Sequence, residues 1–211
     1  MQRKHAAQQE HKSVNCRPTR QETGYASGFD HTDDSKEPRN LAALVRVYER
    51  RFRPKSRAEL ATFCKEPNLE AAIRRAGLAQ NPCGKRYSHQ RRLTRALLRA
   101  ASNVLARSNI ARAADFDSLY ALVDEVIGSM KGIGHLMVYD TALRIGAKLG
   151  LSPKHVYLHR GTRAGARALG LDWRRPHLEV EEVPEELQRL EPREIEDFLC
   201  IFHRELAHAS A

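Results

Sequence analysis

Residues 130–136, Met-Lys-Gly-Ile-Gly-His-Leu, decide the fold of this chain. Apolar residues recur at steps of three and four on both sides of this stretch, as they do in amphipathic helices. Asp117 can cap the first helix and Gly150 can end the second. Residues 117–149 therefore predict two helices joined by a tight Gly-x-Gly turn. The two apolar stripes are Leu119, Leu122, Val123, Val126 and Ile127, and then Val138, Thr141, Ala142, Ile145 and Leu149.

The turn has the composition of an anion-binding site. Gly132 and Gly134 permit positive φ and the close approach of another molecule, while Ile133 can plug the space between the helices. The second helix starts at once, so its unpaired N–H groups and positive dipole end lie beside Lys131 and His135. This arrangement predicts contact with phosphate. A simple glycine turn between packed helices is the alternative.

The turn between two predicted helices resembles the helix-hairpin-helix motif, because it has the sequence Lys131-Gly-Ile-Gly134. Over about residues 110–170 the order of helices resembles the helix-hairpin-helix DNA glycosylase superfamily, the endonuclease III-like proteins. The resemblance implies an all-α, multi-helix, glycosylase-like fold and a role in DNA repair. It also implies that residues 131–135 grip DNA phosphates, with a monovalent cation at the hairpin as the one cofactor expected.

The sequence departs from that family at the catalytic positions. Tyr157, in Val156-Tyr-Leu-His159, stands where the family has its catalytic Asp, and Leu136 stands where some members have a Schiff-base Lys. Neutral Tyr cannot supply the anionic carboxylate that stabilises an oxocarbenium-like transition state. The four cysteines, at positions 16, 64, 83 and 200, also lack the spacing of an iron–sulfur cluster. A standard base-excision mechanism is therefore not expected.

One carboxylate near the turn remains as a catalytic candidate. No Asp or Glu occurs between Asp140 and Asp172, so Asp140 is the residue that could activate water. An ion pair with Arg144, four residues on, is the alternative role. A flipped base would need an aromatic wall, for which Tyr139, Tyr157 and Trp173 are candidates, although Trp173 also suits a core position.

The segment 155–167 is dense in hydrogen-bonding side chains. His155 and His159 have the spacing of metal ligands on a helix, but no third ligand is evident, so no metal site is expected. His159, Arg160 and Arg163 precede or begin a predicted helix and are candidate contacts to DNA. A plain connection between helices is the alternative.

Basic charge is concentrated in the middle of the chain. Residues 38–114 contain 18 Lys and Arg against 4 Asp and Glu, while residues 179–211 contain 3 against 10. A segment this basic favours a polyanionic partner, first of all nucleic acid. Arg91, Arg92, Arg95 and Arg99 are predicted to form a basic strip on a long helix that begins at Ser88, although a solvated helix face would have the same composition.

The remaining sequence predicts an all-α protein without a convincing strand. Residues 1–37 are expected to be a disordered leader, and residues 38–211 a single helical domain with one core. A short helix is expected after Ser152-Pro153. Further helices are predicted at 41–52, 58–65, 68–77, 162–169 and about 191–207.

Three functions are compatible with these features. The leading one is a DNA-binding protein, with RNA also possible, that holds the phosphate backbone without the usual catalytic carboxylate. The second is an active monofunctional glycosylase or nuclease-like enzyme that uses Asp140. The third is a protein-interaction module whose acidic last helix exposes Glu194, Glu196 and Asp197. The absence of long apolar runs predicts a cytoplasmic protein without a membrane partner.

Overall fold

The computed structural model describes residues 40–209, so the leader expected at residues 1–37 lies outside the described residues. Ten α-helices and a two-stranded ribbon make up this part of the chain, which confirms the all-α class. Three short 3₁₀ turns and one π-type turn connect or extend the helices. The helices are α1 Leu41–Arg51, α2 Arg53–Cys64, α3 Leu69–Gly77, α4 Arg95–Arg107, α5 Phe116–Val123, α6 His135–Leu149, α7 Arg160–Ala168, α8 Glu185–Gln188, α9 Pro192–Ile201 and α10 His203–Ala209.

Three predicted helix starts are wrong. The helix predicted at 58–65 begins at Arg53, with Pro54 in its first turn. Side-chain caps explain the other two. The long helix α4 begins at Arg95, because the Thr94 side chain accepts a hydrogen bond from the N–H of Leu97. Residues 88–90 form a separate 3₁₀ turn. Helix α5 is capped by Asp115, which forms a capping box with Ser118, so Asp117 lies inside the first turn instead of before it.

A short antiparallel ribbon replaces the helix predicted after Ser152-Pro153. Strand β1, Val156–Tyr157, pairs with β2, His177–Leu178, in the register Val156 with Leu178 and Tyr157 with His177. Val156 and Leu178 are buried, at 0% and 1% exposure. Their burial in a common core gives the ribbon its register, since alternate residues of a strand point to opposite faces. The prediction of no strand is therefore wrong at these four residues.

Buried apolar side chains form two clusters instead of the single core expected. The first extends from α2 to α6 and includes Ile133, Met137 and Ile145. The second combines α1 with the ribbon and the helices from α7 onward, and it includes Tyr48 and Phe198. The Tyr48 and Phe198 rings meet edge to face with centroids 6.0 Å apart.

Helices α7 and α9 approach closely at two glycines one turn apart on α7. A Cβ placed at Gly165 would lie 2.3 Å from the carbonyl oxygen of Leu199, and one at Gly161 would lie 2.6 Å from Sγ of Cys200. Glycine is needed at Gly165, where the clash would be with backbone atoms, whereas the Cys200 side chain could rotate away from a methyl group at Gly161. The contact holds the second cluster together at its centre.

The acidic last helix differs from its prediction. It divides into α9 and α10, and its apolar residues Ile195, Phe198, Leu199 and Phe202 are buried as expected. Glu194 and Glu196, expected outside, are buried at 1% and 7% exposure. Glu194 is paired with its neighbour Arg193 and with Arg53 and Arg57, which are far from it in sequence. In the described range 40–209, no helix combines the length and apolar character that crossing a bilayer demands.

Candidate nucleic-acid interface

The turn between α5 and α6 is exposed except at its central apolar residue. Lys131, Gly132, Gly134 and His135 are exposed, whereas Ile133 is 9% exposed and belongs to the first cluster. Gly132 has φ +100°, a conformation that favours glycine. The burial of Ile133 and the positive φ of Gly132 agree with the predicted turn, in which one side chain anchors the backbone and the rest face outward.

Helix α6 begins without a side-chain cap. Its N-cap residue is Gly134, which has an extended backbone and no side chain to accept the first-turn N–H groups. A Cβ at Gly134 would meet nothing within 4 Å. Internal packing therefore does not require glycine at this position, and the polar N-terminus of a 15-residue helix is open to an external anion.

The basic start of α4 lies beside this turn. A Cβ at Gly132 would come within 3.1 Å of a methyl group of Leu97, on the first turns of α4. Arg91, Arg92, Arg95 and Arg99 are all exposed, as is Lys131. Only Arg95 and Arg99 belong to α4, because Arg91 and Arg92 precede its cap. The predicted strip is thus part loop and part helix, and it adjoins the turn.

Arginines in this protein fall into two groups. Several are neutralised by carboxylates, among them Arg53, Arg57, Arg75 and Arg144. Within the part of the chain that the structure describes, no carboxylate oxygen lies within ion-pair distance of Lys131 or of the four strip arginines. These exposed charges are available to neutralise phosphates.

Asp140 pairs with Arg144, the alternative role given by the sequence, within a polar network whose other members sequence analysis did not find. One carboxylate oxygen, Oδ2, accepts a hydrogen bond from Gln90 Nε2 at 2.7 Å and lies 2.8 Å from His89 Nε2 and 3.8 Å from Arg144. Arg144, 3% exposed, also contacts Glu59 at 3.0 Å. Burial would raise the pKa of Asp140, but the charges of Arg144 and His89 outweigh it and lower the pKa. No local signal links His89 and Gln90 to a residue 50 positions away.

His159 lies in a second buried pair, away from the surface. Its imidazole contacts the carboxylate of Glu196, and its Nδ1 lies 3.3 Å from the backbone nitrogen of Gly161. Burial opposes protonation of His159, but the Glu196 charge prevails and raises the pKa of the imidazole. The pKa of Glu196 is raised by burial. At 4% exposure His159 is placed to stabilise the start of α7 and not to touch DNA.

These pairs predict that stability falls as the pH rises above about 6.5, the ordinary pKa of histidine. The pKa values of His89 and His159 are raised in the folded protein, so their stabilisation is complete below that pH and is lost as each imidazole deprotonates. The melting temperature should therefore decrease from pH 6 toward pH 9 in a circular-dichroism titration. The decrease should be smaller for His159→Gln, and an unchanged slope in that variant would contradict the assignment.

The other candidate residues do not form one pocket. The rings of Tyr139 and Tyr157 are 5.6 Å apart, but Tyr139 is 2% exposed. Trp173 lies elsewhere. Arg174 is 4.5 Å over its ring, and the tryptophan lines an open cavity of about 440 Å³ with Arg163 and residues of α10.

The two arginines predicted to contact DNA from α7 differ in their contacts. Arg163 Nε donates to the carbonyl of Leu158, while Arg160 is exposed.

Comparison of the chain with models of known protein families, with curated proteins and with solved structures gives no match. The functional argument therefore depends on the geometry of the residues themselves.

Proposed function

We propose that this protein binds DNA through the phosphate backbone, using the turn at residues 131–135 as a helix-hairpin-helix anchor. The observation that carries the proposal is the uncapped N-terminus of α6 behind an exposed Gly-x-Gly turn, with unpaired basic side chains on the adjacent start of α4. Backbone N–H groups at a helix start and unpaired cations are the two elements of phosphate recognition. Because both elements address phosphates, binding is expected to be independent of base sequence.

The contacts of Asp140 favour a structural role over base excision. Its Oδ2 faces Gln90, His89 and Arg144. The charge of the carboxylate therefore stabilises the guanidinium of Arg144 in the protein interior. The buried Glu194 and Glu196 likewise serve internal pairs, and the apolar residues of α9 are covered. These contacts leave backbone binding as the function best supported, ahead of an enzyme or a module that docks through α9.

The proposal includes a monovalent cation at the turn. The carbonyls of Met130 and Gly134 accept hydrogen bonds from Ile133 and from Met137 and Val138. The carbonyls of residues 131–133 are therefore the candidate ligands, and a cation there would add positive charge beside the phosphate. DNA affinity should be higher in potassium chloride than in tetramethylammonium chloride of equal concentration.

The test is the dependence of DNA affinity on salt. Fluorescence anisotropy with a labelled duplex should give a linear fall of log K with log salt, and Lys131→Ala or Arg95→Ala should each reduce that slope by about 1. Gly134→Asp should abolish measurable binding, since its carboxylate would cap α6 and repel phosphate. Gly134→Ser supplies a cap without the charge and should lose less affinity.

Arg189→Ala is the matched control for these variants. Arg189 is exposed but is paired with Glu49 at 2.9 Å, so its loss should leave the slope unchanged. A salt-independent affinity, or equal losses in Arg189→Ala and Lys131→Ala, would refute backbone binding at the turn. The same duplex in RNA form would show which nucleic acid is preferred.

A further inference from the structure

The ribbon brings together two imidazoles and a carboxylate that are spread over 25 residues of sequence. Tyr157 pairs with His177 across the strands, and the next pair in that register is His155 with Glu179. Because Val156 and Leu178 point into the second cluster, the alternate residues His155, His177 and Glu179 share the opposite face. All three are half-buried.

The distances within this group fit a metal site. The candidate ligand atoms lie within 4.8 Å of one another. His155 Nδ1 is 2.8 Å from Glu179 Oε2, and His177 Nε2 is 3.8 Å from Glu179 Oε1. Ligands of a tetrahedral zinc ion, each about 2.0–2.1 Å from the metal, are about 3.3 Å apart. The two observed separations lie on either side of that value, so small side-chain rotations would accommodate an ion.

The surroundings of His155 supply an independent observation. Its other nitrogen, Nε2, faces Asp117 Oδ2 at 3.5 Å, and the second oxygen of Asp117 accepts a hydrogen bond from the Tyr157 hydroxyl. A histidine that ligates a metal through one nitrogen commonly presents the other to a carboxylate, which fixes the ring and strengthens the ligand. Asp117 reaches this position because Asp115, and not Asp117, caps α5.

We propose that His155, His177 and Glu179 form a binding site for a divalent transition metal, with Zn²⁺ as the expected ion and Asp117 as a positioning residue. Two imidazoles and one carboxylate are typical zinc ligands, and three protein ligands leave a coordination position open to water or to a substrate. The carboxylates of Glu179 and Asp117 balance the charge of the ion. Sequence analysis noted the spacing of His155 and His159 but expected no metal site. In the proposed site His155 acts with His177, while His159 is paired with Glu196.

The test is calorimetric titration of the full chain with zinc sulfate after removal of metal by EDTA. One high-affinity equivalent is expected in the wild-type protein. His177→Gln and Glu179→Gln should each weaken binding by more than Asp117→Asn, for which a loss of roughly 10- to 100-fold is expected. Cobalt in place of zinc should give the intense visible absorption of a tetrahedral ion, and His177→Gln should remove it.

His203→Gln is the matched control, since His203 is a half-buried histidine outside the ribbon whose Nδ1 lies 2.8 Å from the carbonyl oxygen of Cys200. It should leave the zinc affinity and the cobalt spectrum unchanged. The three candidate ligands are only half-buried, and far-ultraviolet circular dichroism will verify that each variant is folded. Zinc affinity that is equal in the wild type, His177→Gln and Glu179→Gln would overturn the proposal, as would an equal loss in His203→Gln. The experiment contains no DNA, so its outcome is independent of the proposed backbone binding.

Discussion

Gly165→Ala is expected to destabilise the protein by roughly 3 kcal/mol, at the upper end of the usual cost of overpacking. Alanine is the better helix former by about 1 kcal/mol, so propensity alone would predict the opposite sign. The added methyl group would lie 2.3 Å from the carbonyl oxygen of Leu199 and 3.0 Å from its Cα. Backbone atoms cannot rotate away as a side chain can, and α7 and α9 must separate.

Chemical denaturation with urea, followed by circular dichroism, will measure this effect. Gly134→Ser is the matched control, because a Cβ at Gly134 meets nothing within 4 Å and serine is a favourable N-cap. Its stability should equal or exceed that of the wild type. If Gly165→Ala is as stable as the wild type, the close approach of α7 to α9 is wrong.

Arg144→Met is the second variant for which a large loss is expected, about 3 to 5 kcal/mol in the free energy of unfolding. The guanidinium is 3% exposed, donates to Glu59 and Gln90, and lies 3.8 Å from Asp140. Methionine has a similar length but no charge, so it would leave the Asp140 carboxylate, which is 15% exposed, with less electrostatic compensation. The lost contact of Arg144 with the Tyr87 ring, 4.0 Å away, adds to the cost.

A double-mutant cycle with Asp140→Asn will separate this network from simple packing. If the two residues stabilise each other, the combined loss should be smaller than the sum of the single losses. Arg74→Met is the control, since Arg74 and Glu70 form an exposed pair one helical turn apart, worth less than about 1 kcal/mol. Additive losses at Arg144 and Asp140 would contradict the network, and Asp140 would then be free for another role.

Local patterns predicted the elements that depend on neighbouring residues. The helix predicted at 68–77, the turn around Gly132 and the end of α6 at Gly150 are set by residues within a few positions of each other. The ribbon was missed because its paired residues Val156 and Leu178 are 22 positions apart. Each strand is also only two residues long, which is too short to show an alternation of apolar and polar residues. Propensity could not recognise a strand stabilised by tertiary burial.

At the candidate site too, sequence predicted the features that depend on neighbouring residues and missed those that depend on distant ones. Exposure of Arg95 and Arg99 follows from their position opposite the apolar stripe of α4, so sequence sufficed there. Sequence could not show that Glu194 is buried, because its partner Arg57 is 137 positions away. It also could not show that His155 meets Glu179 instead of His159, since that choice depends on the strand register.

The composition of the two clusters also has a consequence for synthesis on the ribosome. The first cluster comprises one continuous stretch from Phe63 to Ile145, which can assemble as soon as it emerges. Helix α1 belongs to the second cluster, and its Tyr48 bonds Asp197, 149 positions later. At about 5 to 20 residues per second, α1 waits roughly 7 to 30 s with its apolar face uncovered. The second cluster is completed only when α9 emerges and covers that face.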